Sequence, residues 1–229
     1  MLPILLFGVL ALVVIMAAIH SHRAAKQRVA ALSALAVHLR WSFDPSEISD
    51  YGLDAFDAFT RGHSQSAYNT LRGLMEINGG EWTAQAGDFE YKTTSSNGKT
   101  TTTHTHYLSY LVIDTPHLGA PDLTIRREGY FDRFAGFMGF DDIDFESVEF
   151  SERFHVKSPN KRFAYALLDP RMMEFLLEVE PPTIELRGGR CCLLRGDSQW
   201  TPEEFATTIA WAREFFSRWP RQIPSVLDA

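Results

Sequence analysis

The chain has 229 residues, a net charge of -7 and 45% hydrophobic residues. That length gives one domain with a real core, and the acidic balance, with no basic stripe beyond residues 23–28, argues against a nucleic-acid surface. The only cysteines, Cys191 and Cys192, are adjacent; neighbours in sequence seldom close an unstrained bridge, so a disulfide-stapled scaffold is excluded.

Residues 2–19 form an uncharged apolar run. As a helix it reaches about 27 Å, close to the ~30 Å hydrocarbon thickness of a bilayer. The expectation is therefore a transmembrane anchor over residues 1–20, with the lipid bilayer as partner for residues 2–19. No Lys or Arg precedes the run, and His20-Ser21-His22-Arg23 is a poor cleavage flank, so an uncleaved anchor is favoured over a signal peptide. Arg23, Lys26 and Arg28 lie on one side only, which predicts a single-pass protein with its C-terminal domain in the cytoplasm of a bacterial inner membrane.

Residues 21–40 carry Ala25, Val29, Leu32, Ala36 and Leu39 at helical spacing. They read as a helical stalk continuing the first helix, with self-association conceivable. The α+β domain is expected over residues 41–229. Asp44-Pro45 marks a break, and residues 45–62 read as short helices and loops. Strands follow over 88–94 and 100–113, joined at Ser95-Ser96-Asn97-Gly98, a hairpin signal. A third strand is expected over 123–127, a short helix over 130–138 and another strand over 145–156. Asn160 caps a helix to residue 168, and a second helix covers 170–179 after Asp169-Pro170. Residues 183–186 and 190–194 flank Gly188-Gly189 as a second hairpin.

Thr201-Pro202-Glu203-Glu204 combines an N-cap hydroxyl, Pro at the first helical position and an acid three residues after the cap. Phe205, Ile209, Ala212, Phe216 and Trp219 then recur on one face, as a helix packing on a sheet requires. The pattern sums to an α+β fold, a mostly antiparallel sheet packed by helices.

The chemistry in the sequence is sparse. Gly98-Lys99-Thr100 lacks both the earlier glycine and the helix of a phosphate-binding loop. Gly196-Asp197-Ser198 lacks the second glycine of a nucleophile elbow, and Cys191-Cys192 lacks redox spacing. One cysteine of that pair would face the core and the other the surface. His104 and His106 share a strand face, and with a third ligand such as His117 or His155 could bind zinc. Asp142, Asp144 and Glu146 alternate in the same way and could hold a divalent cation or serve acid/base work. A solvated sheet face explains either set as well. No catalytic, cofactor-binding or metal-binding residues are assigned.

Several segments carry a resemblance. Asn69-Thr70-Leu71-Arg72-Gly73, Gly87-Asp88-Phe89-Glu90-Tyr91 with the Ser-Asn-Gly-Lys turn after it, Asp142-Ile143-Asp144-Phe145-Glu146 and Glu149-Phe150-Ser151-Glu152-Arg153-Phe154 are similar to an uncharacterised family of bacterial single-pass membrane-anchored proteins. The resemblance spans most of residues 40–220 and implies a bacterial origin and a short N-terminal anchor. No catalytic residue comes with it. The expected function is a non-catalytic binding or scaffolding module with a protein partner or self-association; the alternative is a metal-dependent hydrolase using His104 and His106 or the face of Asp142, Asp144 and Glu146.

Overall fold

The computed structural model describes residues 2–49, 52–115, 119–128, 142–220 and 223, and of residues 2–11 the backbone alone. It begins with one long helix, α1 (Leu2–Leu39), rich in the strong helix formers Ala and Leu. Its end is a Schellman motif: Arg40 turns left-handed at φ +57, its N–H donates to the Val37 carbonyl, and the Trp41 N–H donates to the Ala36 carbonyl.

The single-pass anchor over residues 1–20 is overturned. Among the described residues no helix is long and apolar enough to cross a membrane. The side chains of residues 2–11 lie outside the described ones. Membrane localisation falls with the anchor, and so does the cytoplasmic orientation drawn from Arg23, Lys26 and Arg28.

Eight strands make one sheet in the order β1-β2-β3-β4-β8-β7-β5-β6, antiparallel at every pairing. They are β1 (Ser42–Asp44), β2 (His63–Ile77), β3 (Gly80–Ser96), β4 (Thr101–Asp114), β5 (Leu123–Arg127), β6 (Phe154–Lys157), β7 (Thr183–Arg187) and β8 (Arg190–Leu194). With α2 (Val148–Arg153), α3 (Lys161–Leu167), α4 (Pro170–Glu178) and α5 (Pro202–Ser217) they give the α+β class.

The hairpins and three of the helices stand where the sequence places them. Asn160 and Asp169 accept from the Phe163 and Met172 N–H groups, and Thr201 with Glu204 forms a complete capping box. Two segments differ. The strand expected over 145–156 is mostly helix, because the Ser147 hydroxyl accepts from the Phe150 N–H and starts α2, leaving only β6 extended. The 15-residue β2 has no counterpart in the sequence reading. Its register shifts twice, between His63 and Ser66 and between Tyr68 and Leu71, so inward and outward residues do not alternate with period two. The helix expected over 130–138 lies outside the described residues.

Both faces of the sheet are covered. The larger core joins α1 (Leu32, Leu35, Ala36) and α3 to α5 to one face. A smaller core sits on the other, where Leu53, Phe56 and Phe59 of the 45–62 segment cover Phe89, Tyr110, Val112 and Cys192. The Phe59 ring meets Phe89 and Tyr110 edge-on, with centroids 4.8 and 5.2 Å away. This second layer corrects the expectation for the cysteines: Cys191 faces the larger core and Cys192 the smaller, both fully buried, so neither reaches the surface.

Candidate functional site

The feature with the most built-in chemistry joins α1 to the sheet. Asp88 on β3 is fully buried, and Arg28 of α1 forms a bidentate pair with it. Its Nε donates to Oδ2 at 2.7 Å and its Nη2 to Oδ1 at 2.6 Å. The remaining acceptor capacity is filled: Asn69 Nδ2 donates to Oδ2 at 2.9 Å and the Ser109 hydroxyl to Oδ1 at 2.6 Å. Arg28 Nη1 also donates to the Trp200 carbonyl at 2.9 Å, while the Trp200 N–H donates to Ser109 Oγ. One carboxylate thus ties α1, β2, β3, β4 and the approach to α5 together. A desolvated ion pair is tolerable only when this fully hydrogen-bonded.

Local backbone makes the arrangement possible. Asn69 sits at φ +50 inside the second bulge of β2, which aims its amide at Asp88. Across the bulge lies Gly87, where a Cβ would come within 3.2–3.3 Å of the Tyr68 and Asn69 carbonyl oxygens. Further along β2, a Cβ on Gly73 would fall 2.1 Å from the Trp41 ring. The bare backbone there lets the indole lie on the strand and donate to the Leu74 carbonyl at 3.1 Å.

Beyond this clamp α1 runs into solvent. Residues 12–27 are all exposed, a length of about 24 Å. Leu12, Val13, Val14, Ile15, Met16 and Ile19 are each 48–60% exposed, on every side of the helix. Next come His22, Arg23 and Lys26, which line a shallow surface with Ile15, Ala18 and Ile19.

A second charged group lies on the opposite face. Glu185 of β7 is 1% exposed, and its Oε2 accepts from the Asp57 N–H at 3.3 Å, where a 3₁₀ turn (Asp57–Thr60) begins. Burial, and next the Asp57 carboxylate, push its pKa up to about 7, against the opposing pull of Arg187 and Arg61. Arg126, buried beside it, has its own pKa lowered by the same desolvation. Both cysteine thiols are likewise pushed well above the usual range by burial, which leaves them poor nucleophiles.

The residues singled out by sequence do not converge. His104 is exposed near the tip of the β3–β4 hairpin. His106 stacks on Tyr91 with centroids 4.7 Å apart, and its Nε2 lies 2.8 Å from Thr93 Oγ1. Asp142, Asp144 and Glu146 are exposed in an irregular stretch before α2. Asp142 pairs with His155 at 3.0 Å beside β6, and four strand spacings, roughly 19 Å, separate β4 from β6. His117 lies outside the described residues. Among the described residues no group of three or more His, Cys, Asp or Glu is placed to hold a metal ion. Asn97 closes the Gly98-Lys99-Thr100 turn, its Oδ1 accepting from the Lys99 and Thr100 N–H groups.

Sequence reasoning missed Arg28, Asp88, Asn69 and Ser109 as a unit. One signal was available: Asn69 and Asp88 both fall within the quoted motifs, and an Asp on a strand among buried positions asks for a partner.

No family model matches the chain, and no curated protein matches it. Among solved structures, the fold is similar to the crystal structure of the mycobacterial trehalose monomycolate transport factor A, TtfA. The TM-score is 0.51 and the sequence identity 12%, over 84% of this chain and 96% of that one. At that identity the likeness is one of fold.

Proposed function

We propose that this chain is a non-catalytic binding or scaffolding module whose binding element is the exposed half of α1, held out by the α+β domain toward a protein partner. The observation that carries this reading is the contrast within one helix. Its last third is locked by Arg28 and by Leu32, Leu35 and Ala36, while residues 12–19 are apolar all round and uncovered. A helix of that composition gains by burial against another surface, and the rigid mount lowers the ordering cost of binding. TtfA is a transport factor, and an accessory role of that kind is in keeping with this reading.

The test places a photo-crosslinking residue at Ile15 in the full chain, with one at the exposed Glu203 as control. A discrete protein adduct from position 15 only, abolished by Ile19→Glu with thermal stability unchanged, is the expected result. Protein adducts of equal yield from both positions, or none from either, overturn the reading.

A further inference from the structure

We infer that the partner of the exposed α1 segment is a second copy of this chain, received by the groove between α2 and α4. The inference rests on the binding-module reading above and names its partner.

The groove, about 510 Å³, has Met173 and Leu177 on its floor and Glu149, Glu174 and Glu178 along its rim. Glu149 is partly offset by Arg153 at 3.2 Å, whereas Glu174 and Glu178 project from α4 into solvent. An apolar floor with an acidic rim fits a helix that carries apolar side chains followed by cations. The exposed part of α1 is such a helix. Ile15, Ala18 and Ile19 continue into His22, Arg23 and Lys26 along one stripe. From residue 15 to 26 the stripe extends about 16 Å, against about 13 Å for the nine residues of α4. Arg28 is not available, because Asp88 holds it.

The contact forms between copies, because residues 12–27 are all exposed and so do not occupy the chain's own groove. Arg28 reaches Asp88 on β3, and α1 also packs on β1 and β2 at one edge of the sheet. The α2 side of the groove adjoins β6 at the other edge, five strand spacings or about 24 Å from the strand that holds Arg28. A helix from one copy seated in the groove of the next closes a two-fold dimer where the contact is reciprocated, and otherwise leaves a free helix at one end and a free groove at the other.

Sedimentation velocity on the full chain tests this directly, using charge variants at four exposed positions. Wild-type protein is expected to associate with concentration, and more weakly as salt rises from 50 to 500 mM. Glu174→Lys with Glu178→Lys is expected to raise the apparent dissociation constant at least tenfold, and Arg23→Glu with Lys26→Glu to do the same. An equimolar mixture of the two double variants restores association, since the unaltered helix of the groove variant meets the unaltered groove of the helix variant and the inverted helix meets the inverted groove. Unchanged circular dichroism shows that each variant folds. Two results overturn the inference: a monomer at all concentrations, or association indifferent to the groove variant, as a symmetric α1–α1 dimer would show. If either occurs while position 15 still gives an adduct with a different protein, this inference fails and the binding-module reading stands; if position 15 gives no protein adduct, both fail.

Discussion

Asp88 and Glu185 are both carboxylates buried in the same sheet, on opposite faces, and their surroundings differ in kind. Asp88 receives four hydrogen bonds, two of them from a guanidinium fork. Glu185 receives one N–H at 3.3 Å and has the Asp57 carboxylate nearby. The first site supplies a partner for each oxygen and so keeps a charge inside the core. The second offsets desolvation only in part, through that N–H and the pull of Arg187 and Arg61, and the group answers by holding its proton to about pH 7. Burial alone therefore does not decide what a carboxylate does in a fold; the donors brought to it by distant segments do. Asp88 clamps α1 to the sheet, whereas Glu185 faces the covering 45–62 segment through the Asp57 N–H.

The largest effect expected from breaking this contrast is that of Asp88→Ala. It takes the acceptor from the part-buried Arg28 guanidinium and the buried Asn69 amide and should cost about 3 kcal/mol in denaturant unfolding, toward the lower end for breaking a buried pair. Proteolysis should then cut first between α1 and β1. A loss below about 1 kcal/mol would show that the clamp is not an anchor.

Glu185→Gln comes next. In the wild-type protein Glu185 binds its proton more tightly folded than unfolded, where the pKa is 4.5. Its contribution is therefore fully present below about pH 4.5 and is lost as the pH rises through about 7. Gln cannot ionise, so the variant should lack this decline and be the more stable protein at pH 8, by at most about 3 kcal/mol. Parallel stability curves for the two proteins from pH 4.5 to 8 would remove Glu185 as the titrating group.

Arg28→Lys sharpens the comparison further. It keeps the charge and loses the planar fork, and a cost of about 1–2 kcal/mol in thermal unfolding is expected. The smallest effect belongs to an exposed pair, Arg218 with Glu214 at 2.7 Å near the end of α5. Glu214→Gln should change stability by no more than about 0.5 kcal/mol. If it rivals Arg28→Lys, then burial and fork geometry are not what makes the Asp88 site strong.

Elements defined within a few residues were legible in the sequence. The capping box at Thr201, the cap at Asn160, the helix start after Asp169-Pro170, and the turns at Gly98 and Gly188-Gly189 each depend on atoms a few positions apart, and all stand where they were read. The strand β2 was hidden because its two bulges break the alternation that identifies a strand, although Asn78 and Gly79, with φ +50 and +76, form the hairpin turn that ends it. The helix α2 was hidden because one serine hydroxyl outweighs a local pattern that alternates like a strand.

The part of Arg28 in the clamp could not be read. Arg28 and Asp88 are 60 residues apart and Arg28 and Trp200 are 172 apart, so nothing local distinguishes Arg28 from the exposed Arg23 and Lys26 beside it. Taken as one of three equivalent cations it suggested an orientation in a membrane; taken with its partners it fastens a helix to a sheet. What the sequence determined by itself is the α+β class, the capped helices and most of the turns, because caps and tight turns are settled by short-range hydrogen bonds and backbone dihedrals. Tertiary structure alone decided which charges are buried in pairs, that both sheet faces are covered, and which stretch of α1 is left open, because those outcomes depend on which distant side chains the completed sheet brings within bonding distance.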